Sequence, residues 1–416
     1  MGIYLLKKSG EAGVSARFRL YLLTIGILVG LLPGLGGSPT VRAGTDRLVL
    51  AFYYAWFDNN TWNSGKLSDL PLNTYNSDNH EVIARQIDQA RAAGIDAFVL
   101  NWWGKGNRTE KNLKAMLDLA APRDFRVTVD FDINSPVMGG VASYADNLRH
   151  LLTVHAAHPA YLRYQGRPVV FFYNVSRLPV ATWRSIRDQA DPGRKALWIA
   201  EGVDLAYLSV FDGHHLYSTT WPNRIPPSQT LSSWSSKLQE YNTQNGATKL
   251  WVATVMPGYD DRKARPGSGF ARSRDGGEYY RQNWQAAMDS NPQWVVINSF
   301  NEWPEGSYIE PSRTYGNQYL DLTREWAARF KGSPAPATTI SQAPPAPSPT
   351  PVPPTPVPPT PVPPTRSIVI EDPRVPGKGK IGPRCGYVFT DNEWISLWEV
   401  YCYSDKVYTA KMLIID

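Results

Sequence analysis

The chain reads as an α/β protein: a (β/α)8 TIM barrel followed by a Pro-rich linker and a small disulfide-stapled β module. Three observations lead there. Between residues 44 and 332, short apolar runs alternate eight times with segments of helical period. Residues 333–365 then break every periodic pattern with Pro, Ala, Thr and Ser. The chain's 2 cysteines, Cys385 and Cys402, both fall beyond that break. A doubly wound open sheet would show the same alternation, because a pattern of elements does not by itself show closure.

Residues 1–43 read as a signal peptide. Lys7, Lys8, Arg17 and Arg19 lead into the apolar run Leu20 to Leu32, which is shorter than the ~20 residues a membrane span needs. Val41, Arg42 and Ala43 then put small residues where a signal peptidase reads them, so the mature start is expected near Gly44. An uncleaved anchor is the other reading of this segment. Cleavage implies a secreted, extracellular protein with no membrane contact afterwards.

The catalytic-sized body, 44–332, holds eight expected strands: Leu48 to Tyr54, Asp96 to Trp103, Phe125 to Asp132, Pro168 to Asn174, Ala196 to Glu201, His214 to Ser218, Leu250 to Met256 and Trp294 to Phe300. Helical spacing is clearest in Asp78 to Ala93, where Ile83, Ile87 and Ala90 share a face and Gly94 supplies a stop. Asn317 to Phe330 repeats it with Tyr319, Leu322, Trp326 and Phe330. The linker 333–365 ends in three copies of Thr-Pro-Val-Pro-Pro and is expected to run as polyproline II, since proline fixes φ and removes the donor. The module 366–416 is small enough to need a Cys385–Cys402 disulfide. Its aromatic residues, among them Trp394, Trp398 and Tyr401, offer either a glycan or cell-wall contact or the filling of a tiny core.

Charge excludes a class of partner. The formal net charge is +6, but the leader carries two Lys, three Arg and one Glu, which leaves +2 for the rest. No basic stripe for nucleic acid remains. The 6 histidines are scattered, so no metal site is expected from spacing.

In a barrel of this kind the reactive face is built from the C-terminal ends of the strands. Those ends carry aromatics interleaved with amides and carboxylates, the combination that stacks on a pyranose and fixes its hydroxyls. The candidate sugar-binding residues are Tyr53, Tyr54, Trp56, Asn101, Trp102, Trp103, Asp130, Asp132, Tyr173, Tyr259, Asn301 and Trp303. Taken singly, any of these aromatics could be a core residue. Glu302 and Glu305 leave the last strand three residues apart and are the candidate catalytic carboxylates, because glycoside cleavage needs one group to protonate the leaving oxygen and another as base or nucleophile. Two acids that close, shielded by Trp303 and Tyr308, should push one pKa upward.

The stretch Ser299-Phe300-Asn301-Glu302-Trp303-Pro304-Glu305-Gly306-Ser307-Tyr308-Ile309-Glu310 resembles the signature of glycoside hydrolase family 99, which contains endo-α-mannosidases and endo-α-mannanases. Phe52-Tyr53-Tyr54-Ala55-Trp56, Val255-Met256-Pro257-Gly258-Tyr259-Asp260, Arg265-Pro266 and Gly277-Glu278-Tyr279-Tyr280 extend the likeness. The resemblance implies a retaining, endo-acting enzyme on an oligo- or polysaccharide, with no metal or organic cofactor. It implies Glu302 as the base that turns the sugar's own 2-hydroxyl into a 1,2-anhydro bridge. Glu305 would protonate the leaving oxygen and later activate water, with Tyr259 and Asp132 at the cleaved sugar. The sequence departs from the family pattern at Pro304, where His is usual, and at Asp130-Phe131-Asp132-Ile133, where the family carries His-Ile-Glu-Pro. Asp in place of Glu at 132 moves a hydrogen bond by one C–C bond, enough to change which sugar is held.

Two rivals stay open at this level. Asn301-Glu302 also matches the acid/base dipeptide of retaining β-glycosidases, although there it closes the fourth strand. A non-hydrolytic carbohydrate-binding or polysaccharide-assembly barrel is the second.

Overall fold

The computed structural model describes residues 47–221 and 225–332, together with the backbone of three strands near the C-terminus. The eight barrel strands are β1 (Leu48–Tyr53), β2 (Ala97–Trp102), β3 (Arg126–Asp132), β4 (Arg167–Tyr173), β5 (Leu197–Glu201), β6 (Gly213–His215), β7 (Leu250–Val255) and β8 (Trp294–Ile297). All pair in parallel. β1 lies between β2 and β8, with Leu50 opposite Ala97 and Leu48 opposite Trp294. β3 pairs with both β2 and β4, Val129 facing Val170, and the ladder continues through β5, β6 and β7 back to β8. The sheet is therefore closed, and the open-sheet alternative falls.

Among the described residues, seven helices of ten or more residues cover the barrel: α1 (His80–Ala92), α2 (Arg108–Ala120), α3 (Val141–His150), α4 (Val180–Ala190), α5 (Pro227–Asn245), α6 (Glu278–Asp289) and α7 (Gln318–Phe330). The crossover from β5 to β6 is only a 3-10 turn, Leu205–Ser209, so the fifth unit lacks a full helix. α1 starts where the Asn79 carboxamide accepts the Glu81 amide, the usual way to satisfy an orphan donor at a helix start. It ends at Gly94, whose φ of +78° an L side chain rarely adopts.

Strand parity divides the core in two. Leu50, Phe52, Val99, Val169, Phe171, Ile199, Val252 and Val296 fill the barrel interior. Val49, Ala51, Tyr53, Leu100, Trp102, Val129 and Ile297 face the other way and pack against helix residues such as Ile83, Leu113, Trp284 and Trp326. Because successive side chains alternate between faces, the last inward position of each strand decides what reaches the barrel mouth.

The C-terminal strands β9 (Cys385–Asn392), β10 (Ile395–Cys402) and β11 (Thr409–Ile414) form an antiparallel sheet in that order, with Cys385 opposite Cys402 in the ladder. Their side chains lie outside the described residues, as do the leader 1–43 and the linker 333–365; the expected signal peptide, disulfide and glycan contact fall there. Among the described residues no helix is long and apolar enough to cross a membrane.

Candidate active site

The inward parity of the strands brings Tyr54, Asn101, Asp130, Asp132, Tyr173 and Glu201 to the C-terminal mouth, where Tyr217, Glu302 and Glu305 join them from the following loops. Beyond Ile297 the chain keeps contact with its neighbours: the Asn298 amide donates to the Val255 carbonyl and the Phe300 amide to the Phe52 carbonyl. The loop that carries Glu302 and Glu305 thus leaves the barrel as a held segment. Its turn is closed by Gly306, whose amide donates to the Trp303 carbonyl. Gly306 has φ +61°, and a Cβ there would lie 2.9 Å from the backbone N and O of Asp260. That close approach lets the Glu305 carbonyl accept the Asp260 amide at 2.8 Å, tying the β7 and β8 loops together.

Glu302 is 6% exposed, and its Oε2 has no hydrogen-bond partner among the described residues. Its backbone amide donates to Ser299 Oγ at 2.6 Å. Burial, and next the charge of Glu305, hold its carboxyl well above the usual carboxylate range; Arg265 opposes both. Among the described residues Glu305 has two side-chain donors. Tyr217 donates its hydroxyl to Oε2 at 3.0 Å and Arg265 donates Nη2 to Oε1 at 3.1 Å. Burial raises the Glu305 carboxyl too, against the pull of Arg265. The Tyr54 hydroxyl lies 3.1 Å from that of Tyr217, extending the chain of polar groups to β1.

The facing wall carries a second set of acids. Asn101 donates Nδ2 to Asp130 Oδ2 at 3.2 Å and to Asp132 Oδ2 at 3.3 Å, while Asp130 Oδ1 is buried without a partner among the described residues. Burial, then Asp132, holds Asp130 well up. Glu201 accepts the Asn174 amide at 2.9 Å, and burial pushes its carboxyl up to about 7. The Tyr173 phenol lies within electrostatic reach of Glu305, Glu201, Asp132 and Asp130, and its ring is 5.0 Å from that of Tyr217. At the rim, half-buried Trp56 and Trp103 stack with centroids 4.8 Å apart and planes at 27°. Trp103 Nε1 donates to Asn101 Oδ1 at 2.9 Å, so the stacked pair is anchored to the acidic wall.

Four sequence candidates are placed elsewhere. Tyr53 and Trp102 have the wrong parity: they are fully buried toward the helices, Tyr53 donating to Gln86 Oε1 at 2.6 Å. Trp303 is fully buried, stacked on Tyr308 at 3.9 Å, and donates to Glu310 Oε2 at 3.1 Å. Asn301 spends its carboxamide on the Tyr54 backbone, accepting from N at 2.8 Å and donating to O at 3.0 Å. These residues position the loop from behind. Tyr259 stays near the mouth, with its hydroxyl between Asp261 and Arg265.

Tyr217, Arg265, Asp261 and Glu201 were not among the sequence candidates. Glu201 and Tyr217 stand at strand ends and could have been found by parity. Arg265 comes from a loop that reaches Glu305 across forty positions, with no local signal beyond the Arg265-Pro266 match. Outside the cleft, Glu110, His150 and His155 form a group able to hold a metal ion.

The family model described as glycosyl hydrolase family 99 matches residues 69–330. The chain belongs to glycosyl hydrolase family 99. It is similar to a glycoprotein endo-α-1,2-mannosidase-like protein of Mus musculus, 27% identical over 296 residues that cover 62% of this chain and 64% of that protein. It is equally similar to the glycoprotein endo-α-1,2-mannosidase of Rattus norvegicus, at 27% identity over 62% of this chain and 63% of that one. The match thus spans under two thirds of the length of these relatives. Among solved structures, the family 99 endo-α-mannosidase of Bacteroides thetaiotaomicron, in complex with bis-tris-propane, superimposes with a TM-score of 0.62 at 25% identity, covering 69% of this chain and 98% of that chain. The family 99 match begins at Asp69, which accepts the Tyr308 hydroxyl at 2.7 Å, and ends with α7.

Proposed function

We propose that this family 99 barrel is a secreted, retaining endo-glycosidase of α-mannosides, with Glu302 as base and Glu305 as acid. The observation that carries the reading is the unequal surroundings of the two carboxylates: Glu302 is buried with one oxygen free, while Glu305 is held by Tyr217 and Arg265. The relatives' endo-α-mannosidase descriptions support the substrate class.

Burial and the charge of Glu305 hold the Glu302 carboxyl well above the usual range and so favour its protonated form, and its Oε2 has no donor among the described residues. A sugar 2-hydroxyl donating into Oε2 supplies that missing hydrogen bond and favours the carboxylate, so the proton passes to Glu305. Arg265 opposes this transfer, but it is half exposed and its charge is screened. Glu302 then takes the 2-hydroxyl proton as O2 attacks C1. The C1–O bond breaks, and Glu305 gives its proton to the departing oxygen. Water next attacks C1, losing a proton to Glu305, while the C1–O2 bond breaks and O2 recovers its own proton from Glu302. Two displacements at C1 return the original anomer.

The test is to digest α-mannan, with an α-glucan as comparison, and to follow the released reducing end by NMR. The reading expects oligosaccharides from mannan whose first-formed anomer is α. Product that appears first as β, or monosaccharide alone, overturns the retaining endo assignment.

A further inference from the structure

We propose that Glu110, His150 and His155 form a transition-metal site, with Zn2+ the fitting ion, on the outer wall of the barrel between α2 and α3. The ligand atoms already converge. His150 Nε2 is 2.5 Å and His155 Nε2 2.8 Å from the same Glu110 oxygen, and all three atoms lie within 4.8 Å of one another.

The backbone is built to bring them together. In an α-helix, residues five apart point about 140° away from each other. Here α3 runs into a π-helical turn, Leu151–His155, closed by the Ala156 amide on the Leu151 carbonyl at 2.9 Å. The wider turn puts His150 and His155 on one face, opposite Glu110 of α2. Such turns are found disproportionately at functional sites.

Two imidazoles and a carboxylate suit zinc, whereas Mg2+ and Ca2+ prefer oxygen throughout. Tetrahedral bonds of ~2.0–2.1 Å require the ligand atoms to open to about 3.3 Å from one another. His150 has the freedom to move: its side chain is 30% exposed, against 7% for His155. That exposed side leaves a fourth position for water. The other Glu110 oxygen accepts the Gly106 amide at 2.5 Å, an outer contact that orients the carboxylate. Gly106 belongs to the loop that follows Trp103, whose own amide donates to Thr109 Oγ1 at 2.9 Å. The ion would clamp α2 to α3 and steady the loop carrying half of the stacked tryptophan pair. Its role is positional, since neither Glu302 nor Glu305 is a ligand.

The test is calorimetric titration of ZnCl2 into the full chain, free of any affinity tag and stripped with chelator, followed by X-ray absorption at the zinc edge. The expected result is one ion per chain, two imidazole ligands at ~2.0–2.1 Å, and a higher melting temperature with zinc. His150→Gln and Glu110→Gln should each weaken binding more than ~10-fold. His150→Gln, the more exposed position, should keep the far-UV spectrum of the wild type and lose the zinc-induced rise in melting temperature. A stripped wild type that takes up no stoichiometric zinc shows a plain hydrogen-bonded cluster and overturns the proposal. So does uptake that both variants leave unchanged, which would place the ion on other histidines.

Discussion

Arg265 donates Nη2 to Oε1 of Glu305 at 3.1 Å, giving the outer of the two cleft glutamates a cationic partner. The same guanidinium lowers the proton affinity of Glu302 as well. Replacing it with Gln removes a positive charge from both acids, so both become harder to ionise. The bell-shaped pH profile of kcat/KM should therefore move to higher pH on both limbs in Arg265→Gln. An unmoved acid limb, or one displaced to lower pH, would show that Arg265 does not act on the pair.

The Trp56–Trp103 stack at the rim offers flat aromatic surface next to the acidic wall. Trp103→Ala should lower kcat/KM on an oligosaccharide about tenfold, chiefly through KM, corresponding to roughly 1–1.5 kcal/mol of aromatic contact. Trp103→Phe should recover part of it. A loss confined to kcat would remove Trp103 from substrate binding.

Behind the loop that carries Glu302 and Glu305, buried Glu310 accepts from Tyr75 at 2.8 Å, Gln86 at 2.6 Å and Trp303 at 3.1 Å. Burial pushes its carboxyl up from 4.5 to about 7. A group harder to ionise folded than unfolded contributes stability that is full below about 4.5 and lost as pH rises through about 7, on the order of 3 kcal/mol across that window. Urea unfolding at pH 5 and pH 8 checks this: the wild type should lose stability relative to Glu310→Gln on going to the higher pH. A difference that stays constant would mean the carboxyl ionises as easily in the fold as out of it.

Much of the barrel was legible because each strand is an apolar run and the runs are spaced by helices. Ends were harder. The sixth strand was expected at His214 to Ser218 but is Gly213–His215, since Leu216 to Ser218 leave the ladder and Tyr217 turns its hydroxyl to Glu305. The site was read as a set of strand ends without regard to parity, and this admitted Tyr53 and Trp102, which point to the helices, while Glu201 and Tyr217, although recognised at strand ends, were not taken as site residues. Asn301 and Trp303 carry the chemistry of sugar-binding residues, yet their polar atoms are taken by the Tyr54 backbone, a partner far away in sequence, and by Glu310, seven residues on. Glu302 and Glu305 were singled out because their Glu-x-x-Glu directly follows an apolar strand and runs into a glycine-containing loop rather than a solvated helix face, and the structure places both at the barrel mouth.

The division of labour between those two glutamates is tested most directly by assaying Glu302→Gln and Glu305→Gln on an α-mannan oligosaccharide and on the matching α-mannosyl fluoride. Fluoride departs without a proton, so in the first step loss of the acid matters only for the oxygen-linked substrate, whereas the base role of Glu305 toward water is common to both. The expected result is that Glu305→Gln loses ~10²–10⁴-fold on the oligosaccharide and less on the fluoride, which is spared the missing acid but not the missing base, while Glu302→Gln fails on both. Fluoride turnover retained by Glu302→Gln and lost by Glu305→Gln would reverse the roles, and full activity of either variant on the oligosaccharide would contradict the account.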